Sequence, residues 1–171
     1  LTAVRHDGEV ARLGDRAKVV TTAEDLGRVD VCLVSVKSRD TRSAAREIRP
    51  HIRAGGLVVS MQNGRNNADI LRAELASHAR ISPAVVGFNV RITDGMAFRE
   101  TVPGSLYLSA IHPELREFAQ RLESVGFAGQ VHHRIENAVD GKLLLNLNNG
   151  VCAVTGVSIA ESLRSKTLFP F

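Results

Sequence analysis

The segment DVCLVSVKSRDTRSAAREIRPHIRAGGLVVSMQNG, residues 30–64, decides the fold of this chain. It opens with DVCLVSV, a β-branched and aliphatic run that predicts a strand buried on both faces. Apolar side chains then recur at helical spacing, at Ala44, Ala45, Ile48 and Ile52. The run LVVSM at 57–61 predicts a second buried strand, so this order of elements indicates a βαβ unit with parallel strands.

The alternation of strand and helix patterns continues beyond this unit. Four further patterns predict a helix at 68–79, a third strand at 83–92, a helix at 113–125 and a last strand at 127–133. Two short alternating segments within 95–109 flank Pro103-Gly104, which suggests a hairpin. From Ile135 the pattern becomes helical and remains so through Gly156.

The fold class predicted from these patterns is α/β. We expect a partial Rossmann-like parallel sheet, followed by the start of an all-helical C-terminal domain. The change of pattern places the boundary between the two domains near residue 134.

Composition restricts the class of protein. The chain has 171 residues, of which 44% are hydrophobic and 23% charged, as in an ordinary globular protein. No apolar run approaches the roughly 18 residues that a membrane span needs, and no signal-peptide pattern opens the chain, so we expect no membrane partner. Cys32 and Cys152 lie far apart in apolar stretches, which favours buried reduced thiols in a cytoplasmic protein. We expect no metal site, because no Cys/His cluster has ligand spacing.

Basic residues outnumber acidic ones and give a net charge of +4. Most of them are dispersed along the chain, which argues against a nucleic-acid partner. The exception is a set of five arginines spaced three or four residues apart: Arg39, Arg42, Arg46, Arg49 and Arg53. This spacing places them on one helical face, which is either solvated or turned toward an anionic ligand such as a cofactor phosphate.

Two predicted strand ends open toward one crevice. Lys37 follows the first strand and Asn63-Gly64 follows the second, and a helix comes after each. Asn63-Gly64 therefore belongs to a βα loop and not to a hairpin. Ligands of open α/β sheets bind outside the carboxyl ends of the strands, where Lys37 offers a positive charge, Asn63 a donor and an acceptor, and Gly64 close backbone approach. The alternatives are a surface lysine at 37 and a plain turn residue at 63.

A polar stripe marks the last predicted helix. Lys142, Asn146 and Asn149 are spaced four and three residues apart, so they share one face. The other sides are rich in leucine, which predicts a largely buried helix whose stripe needs partners or a cavity. A partly desolvated lysine can act as general acid, electrophile or anion anchor, and asparagines can orient a carbonyl or carboxylate. The alternative is a structural network in which Asp140 or Glu136 pairs with Lys142.

Three motifs in this order resemble those of the ketopantoate reductases, or 2-dehydropantoate 2-reductases: VKSRDT at 36–41, QNG at 62–64 and KLLLN at 142–146. The resemblance implies an N-terminally incomplete dinucleotide-binding domain for NADP(H) at 1–134 and the start of a helical substrate and catalytic domain at 135–171. It implies NADPH-dependent reduction of a 2-oxo acid, such as 2-dehydropantoate, to the 2-hydroxy acid in pantothenate and coenzyme A biosynthesis. A homodimer is compatible with it.

The resemblance also implies roles for single residues. Lys142 would be the catalytic lysine, which binds the ketone oxygen and acts as general acid. Asn146 would help to hold the substrate, and Asn149 is a substitute for a second asparagine that the family carries four residues after the first. The remaining site residues would line the cleft. Asn63 would contact both the substrate and the cofactor, and Lys37 and Gly64 would contact the cofactor.

This sequence also departs from the family. Family members begin with a strand and a GxGxxG turn, and these residues contain no such turn. We expect the natural protein to carry that segment ahead of Leu1, because the cofactor pyrophosphate otherwise has no helix N-terminus to rest on. The alternative hypothesis is a truncated or decayed relative that folds but is not catalytic and cannot bind a dinucleotide.

Overall fold

The computed structural model describes residues 2–5, 7–12, 14, 18–93 and 97–164. Its strands are β1 (Thr2–Val4), β2 (Val10–Arg12), β3 (Val29–Val34), β4 (Ile52–Ser60), β5 (Ala79–Pro83), β6 (Val85–Val86), β7 (Asn89–Thr93), β8 (Ala97–Val102), β9 (Leu106–Ser109) and β10 (Gly129–His132). Its helices are α1 (Thr41–Ile48), α2 (Asn67–Leu75), α3 (Pro113–Ser124), α4 (Ile135–Thr155) and α5 (Ile159–Arg164). The predicted α/β class is confirmed.

β3, β4 and β5 form the parallel sheet that the sequence predicts. Leu57 of β4 lies beside Val31 on one side and Arg80 on the other, and all three strands end at the same edge of the sheet. α1 and α2 are the crossovers that parallel strands require. One boundary differs from the pattern: Ile52 begins β4 and does not continue the helix, because Pro50 has no amide proton to extend it.

The parallel sheet has a hydrophobic core on each face. Consecutive residues of β4 alternate between the two cores, as the period of a strand requires. On one face, Val58 packs with α1 and α2 through Ala45, Leu71 and Leu75. On the other face, Leu57 and Val59 pack with Leu106, Leu108 and Leu115. A slip of one residue would exchange the two faces, so this burial determines the register of β4.

The single strand predicted over 83–92 is wrong in its extent. α2 ends at Leu75, and β5 begins at Ala79, the last residue of the predicted helix, and ends at Pro83. Residues 84–92 therefore hold β6 and most of β7, and β5, β6 and β7 lie in three different sheets. β6 pairs antiparallel with β9, and β9 pairs parallel with β10. Gly87 permits this arrangement, since a Cβ atom at Gly87 would lie 2.7 Å from the Ser105 oxygen and 2.8 Å from the Tyr107 ring. The backbones therefore approach more closely than any other residue type would allow.

The predicted hairpin at Pro103-Gly104 is also wrong. β8 pairs with β7 and β1, whereas β9 pairs with β6 and β10, so the two flanking strands belong to different sheets. The strand pattern identified both segments, but a period of two residues carries no information about the partner strand. The last predicted strand is confirmed as β10, and the helix predicted over 113–125 is confirmed as α3.

β3 is not buried on both faces, contrary to the prediction. Val31 and Leu33 expose 41% and 45% of their surface, whereas Val34 is buried against α1 and α2. Among the residues that the structure describes, β3 pairs with β4 alone. The apolar run therefore predicted the strand but overestimated its burial, and the exposed apolar edge agrees with the expectation that this strand lacks one neighbour when no βαβ unit precedes it.

α4 is likewise more exposed than predicted. One side of the helix contacts β5, β6 and β9, and α5 packs against it. The leucines on its other sides are largely exposed, at Leu144, Leu145 and Leu147. The helix begins at Ile135, next to the predicted boundary, and Gly156 ends it with a φ of +71°.

The five arginines do not share one helical face, because only Arg42 and Arg46 lie in α1 and Arg53 lies in β4. The arginines of α1 and Arg49, which follows it, join α1 to α2. Arg42 and Arg46 both donate to the carboxylate of Glu74, with Arg46 Nε at 3.0 Å from Oε2. Arg49 Nη1 donates to the Glu74 backbone oxygen at 2.6 Å. The two outer arginines pair elsewhere, Arg39 with Asp40 and Arg53 with Asp30. These contacts favour a structural, solvated face over a ligand site.

Candidate active site

The loops after β3 and β4 lie side by side and are joined by Gln62. Gln62 Nε2 donates to the Val36 oxygen at 2.9 Å and to Thr41 Oγ1 at 2.7 Å. Gln62 Oε1 accepts a hydrogen bond from Ser60 Oγ at 3.1 Å. One amide thus ties the end of β3, the start of α1 and the end of β4 together.

Asn67 adds a second amide to this network. Its Nδ2 donates to Ser38 Oγ at 3.1 Å and to the Asn63 oxygen at 2.8 Å, and its Oδ1 lies 3.0 Å from Thr41 Oγ1. Asn66 occupies the N-cap position of α2 without a side-chain cap hydrogen bond. Asn67, the first residue of the helix, therefore fastens the loop instead of capping the helix.

We call Ser38, Thr41, Gln62 and Asn67 the loop network. Thr41 and Asn67 are buried, and both carboxamides use their donors and acceptors. A satisfied buried network holds one backbone conformation, because each broken hydrogen bond would leave a polar group without a partner. The quoted motifs VKSRDT and QNG contain Ser38, Thr41 and Gln62, but the sequence did not assign any of the four residues this role. The available signal was their position: Thr41 and Asn67 begin the two crossover helices, next to the two strand ends.

The loop network leaves Asn63 and Gly64 facing outward. The Asn63 side chain is exposed, and no hydrogen bond to another described residue involves its carboxamide. Gly64 has a φ of +93°, a conformation that favours glycine. A Cβ atom at Gly64 would have only Asn67 Nδ2 within 4 Å, at 3.9 Å, so the space beside the loop is open.

Lys142 lies across a narrow cleft from Asn63 and Gly64. The walls of this cleft, here called the narrow cleft, include Gln62, Asn63, Gly64, Ala84, Val85, Val86, Val139, Lys142 and Leu143. The Lys142 ammonium donates a hydrogen bond to the Val86 backbone oxygen. Burial lowers the pKa of Lys142, because desolvation disfavours its charged form. The predicted pairing with Asp140 does not form, since Asp140 pairs with Arg65 instead.

A wider cleft continues on the other side of Lys142. It has a volume of about 410 Å³, and its walls include Val85, Gly87, Asn89, Tyr107, Ala138, Gly141, Lys142, Leu145 and Asn146. The structure thus brings Asn63, Gly64, Lys142 and Asn146 to two clefts that share the lysine. A ligand that contacts Lys142 can reach Asn63 on one side and Asn146 on the other.

Two predicted site residues lie outside these clefts. Asn149 is exposed on α4, whereas its neighbour Asn148 is buried and accepts a hydrogen bond from Ser162 Oγ at 2.9 Å. Lys37 is exposed after β3, directly before the short 3₁₀ turn at Ser38–Asp40. Asn148 was not identified from the sequence, because the pattern of α4 does not show where α5 will pack.

Other features of the described part of the chain concern membranes, metals and thiols. None of its helices is long and apolar enough to cross a membrane. The same residues include no group of three or more His, Cys, Asp or Glu side chains that could hold a metal ion. Cys32 and Cys152 are free and partly buried, and burial raises the pKa of Cys32.

A parallel sheet with crossover helices α1 and α2 on one face, β9 and α3 packed on the other, and polar clefts at the carboxyl ends of its strands defines a Rossmann-like α/β protein. The family described as ketopantoate reductase PanE/ApbA matches residues 2–113. The chain belongs to this family, as the motifs in the sequence predict.

Three relatives show the extent of the similarity. A 2-dehydropantoate 2-reductase from Halobacterium salinarum is 29% identical over 180 residues, covering 95% of this chain and 55% of that protein. The crystal structure of 2-dehydropantoate 2-reductase from Geobacter metallireducens has a TM-score of 0.81 at 21% identity, over 98% of this chain and 56% of that one. The ternary structure of D-mandelate dehydrogenase with NADH and anilino(oxo)acetate has a TM-score of 0.75 at 18% identity, and the match covers 98% of this chain and 55% of that one. This chain thus spans about half the length of these relatives.

Proposed function

We propose that this chain belongs to an NADPH-dependent reductase that converts a 2-oxo acid, such as 2-dehydropantoate, to the 2-hydroxy acid. Its family and the reaction named for its relatives support this reaction class. The proposal includes a role in pantothenate and coenzyme A biosynthesis, a cytoplasmic setting, and the division into a cofactor domain at 1–134 and a helical domain from 135.

The observation that carries this proposal is the position of Lys142 between the two clefts. Its ammonium is half-buried, and the Val86 oxygen is its hydrogen-bond acceptor. An incoming ketone oxygen could replace the Val86 oxygen without a large movement of the side chain. Asn63 would then lie on the cofactor side of the reacting carbon, and Asn146 on the substrate side.

The residues around the loop after β4 fit the nicotinamide end of a dinucleotide. Gly64 has open space beside it, so a ribose can approach the backbone. The exposed carboxamide of Asn63 can donate to and accept from ribose hydroxyls. Lys37, at the neighbouring strand end, would offer its ammonium to a cofactor phosphate.

When bound, NADPH would supply the hydride that reduces the ketone. Lys142 would hold the ketone oxygen, stabilise the negative charge that develops on it, and donate its proton to that oxygen. The lowered pKa of Lys142 favours this donation, because the proton is released more readily than from an exposed lysine. Asn146, one turn along α4, would orient the substrate carboxylate, and Asn149 would contact it only after a rearrangement, because it lies outside the cleft.

The test of the reaction is NADPH oxidation with a panel of 2-oxo acids. We expect Lys142→Met, which keeps a long apolar stem but removes the ammonium, to lower kcat by ~10²-fold or more, as loss of a general acid does. Arg121→Ala is the matched control, because it removes an exposed cation from α3 that is part of the walls of neither cleft. Equal turnover in native protein and Lys142→Met would exclude Lys142 as the acid.

NADPH titration distinguishes the reductase from a non-catalytic relative that cannot hold a dinucleotide. Saturable binding, followed by the fluorescence of the reduced nicotinamide and weakened by Asn63→Ala, would support the reductase. A folded protein with no saturable binding would support the non-catalytic hypothesis. Circular dichroism of each variant shows whether it is folded.

A further inference from the structure

The ion pair between Arg65 and Asp140 joins the loop after β4 to α4, the two elements that bring Asn63 and Lys142 to the narrow cleft, although neither charged residue is part of its walls. Arg65 directly follows the Asn63-Gly64 loop, and its Nη1 lies 3.5 Å from Oδ1 of Asp140 on α4. The pair therefore connects the two elements whose separation determines how far Lys142 lies from Asn63.

Few other contacts hold this part of α4 in place. The helix touches β5, β6 and β9 along one side, while most of its leucines are exposed. Near the cleft, the hydrogen bond from Lys142 to the Val86 oxygen is the polar contact on the sheet side. If a ketone oxygen takes the place of the Val86 oxygen, that contact is lost and the ion pair is the polar link that remains; the ammonium has three donors, so it can also bind both oxygens.

The neighbouring charges favour this pairing over its alternatives. Arg72 also lies near α4, but its Nη1 is 2.6 Å from Asp69 Oδ1 on its own helix. Glu136 lines an adjoining cleft together with Arg65 and Arg72, yet it is exposed, whereas Asp140 is partly buried. Arg65 also satisfies Asp140, so the acid does not turn toward Lys142 and weaken it as a donor.

We propose that Arg65 and Asp140 form a positioning pair that holds the Asn63-Gly64 loop at a fixed distance from Lys142. The catalytic consequence rests on the proposed reductase function, but the effect on the loop does not. Neither residue touches the reacting atoms. The pair acts by setting the geometry in which Lys142 meets the substrate, and such geometry affects turnover more than substrate binding.

Single and exchanged charges test this proposal. We expect Arg65→Gln and Asp140→Asn each to lower kcat about threefold to fivefold, in the range that an exposed ion pair supports, with little change in KM. The exchanged variant Arg65→Asp/Asp140→Arg should recover to within about twofold of the native kcat, because it restores the attraction with the charges reversed. High salt should lower the native kcat toward that of the single variants, since the pair is exposed to screening.

Hydrogen–deuterium exchange supplies a second readout that needs no catalysis. Both single variants should speed amide exchange in residues 62–66 and 139–143, and the exchanged variant should slow it again. Arg121→Ala, which breaks an exposed pair within α3, should change neither segment. Loss of kcat with no recovery in the exchanged variant, or exchange equal to that of Arg121→Ala, would overturn the positioning role. If the native protein reduced no 2-oxo acid, the proposed function would fail while the exchange data still decided this proposal.

Discussion

At the scale of single residues, the candidate site depends on polar side chains that are buried behind it. The side-chain amides of Gln62 and Asn67 make their hydrogen bonds within the loop network. The Thr41 hydroxyl accepts a hydrogen bond from Gln62 Nε2 and lies 3.0 Å from Asn67 Oδ1. The exposed residues Asn63 and Gly64 are therefore held by groups that no ligand touches.

Thr41→Val should destabilise the protein. Valine has nearly the same shape as threonine but no hydroxyl, so Gln62 Nε2 would lose an acceptor. The Ser38 oxygen and Asn67 Oδ1, which share the single hydroxyl proton, would lose their common donor. We expect the free energy of unfolding to fall by about 1–3 kcal/mol, as measured by urea denaturation. Thr155→Val is the control, because Thr155 is exposed on α4 and should change stability by less than ~0.5 kcal/mol. Equal effects in the two variants would contradict the role of the network.

Lys142 should give turnover a characteristic pH dependence. Only protonated Lys142 can act as general acid, so kcat should fall as the pH rises through its pKa, which desolvation places below the ordinary lysine value. Lys142→Arg should remove this alkaline fall, because a guanidinium stays protonated. The measurement is kcat against pH for both proteins, and an alkaline fall that is identical in Lys142→Arg would point to another group.

The same shift predicts how Lys142 affects stability. The folded protein releases this proton at a lower pH than the unfolded chain, so between the two pKa values the unfolded chain holds more protons and stability rises with pH. Lys142→Met should lack this rise. Urea denaturation at several alkaline pH values, compared between native protein and Lys142→Met, measures the difference.

At the scale of elements, ion pairs and glycines determine how helices and strands meet. Glu74 receives two arginines of α1 on its carboxylate and a third on its backbone oxygen, which joins α1 to α2 on one face of the sheet. Gly87 follows β6 and Gly104 precedes β9, and their backbones approach so closely that neither position has room for a Cβ atom. This close approach accompanies the pairing of β6 with β9.

Glu74→Gln should reduce the acid sensitivity of the fold. The hydrogen bond from Arg46, with the charges of Arg46 and Arg42, lowers the pKa of Glu74. A lowered carboxylate pKa contributes stability that is present above the unfolded value and lost as the pH falls through the folded value. The midpoint of thermal unfolding should therefore fall less on acidification in Glu74→Gln than in the native protein. Glu117→Gln, on the exposed face of α3, controls for loss of a surface carboxylate.

Alanine at two glycines should have opposite effects. A Cβ at Gly104 would lie 2.2 Å from the Gly87 oxygen, so Gly104→Ala should cost about 1–3 kcal/mol or more through overpacking. Gly150 lies within α4 with nothing within 4 Å of its Cβ position, so Gly150→Ala should stabilise the protein by up to ~1 kcal/mol. Denaturant titration of both variants tests the pair, and a neutral Gly104→Ala would contradict the close approach of the two backbones.

At the scale of the whole molecule, apolar surface remains exposed in two places. One is the outer face of β3, with Val31 and Leu33, and the other is the outer side of α4, with Leu144 and Leu147. Contiguous apolar surface of this kind favours association with another protein surface. Because this chain spans about half the length of its relatives, such a surface can contact further protein as well as a second copy of the chain.

Two charges on α4 should reduce self-association. Leu144→Lys/Leu147→Lys keeps residues with good helix propensity but places ammonium groups on the exposed apolar side. We expect the average mass measured by light scattering to fall toward that of a monomer. Ile111→Lys is the control, since Ile111 is exposed in a turn away from α4. An equal effect of Ile111→Lys would mean that net charge, and not the α4 surface, controls association.

The sequence by itself determined the βαβ pattern, both strand-end loops, α3, β10 and the start of α4. These features follow from local periodicity, from proline and glycine positions, and from residues a few places apart. It also singled out Lys142, Asn146 and Asn63 as candidates, because polar residues within or directly after apolar elements stand out in a single chain. The exposure of β3, the placement of β6 and β7 in two different sheets and the pairing of β8 were decided by the tertiary structure. Each depends on a partner distant in sequence, which no local pattern encodes.

The same distinction applies to the site. The sequence could place Lys142 and Asn63 on their elements, but their approach across one cleft depends on how α4 packs on β5 and β6. The choice of Arg65 as the partner of Asp140, and the loop network behind Asn63, also exist only in three dimensions. Ion pairs and buried amides form between groups that folding brings together, so their partners are set by packing and not by spacing along the chain.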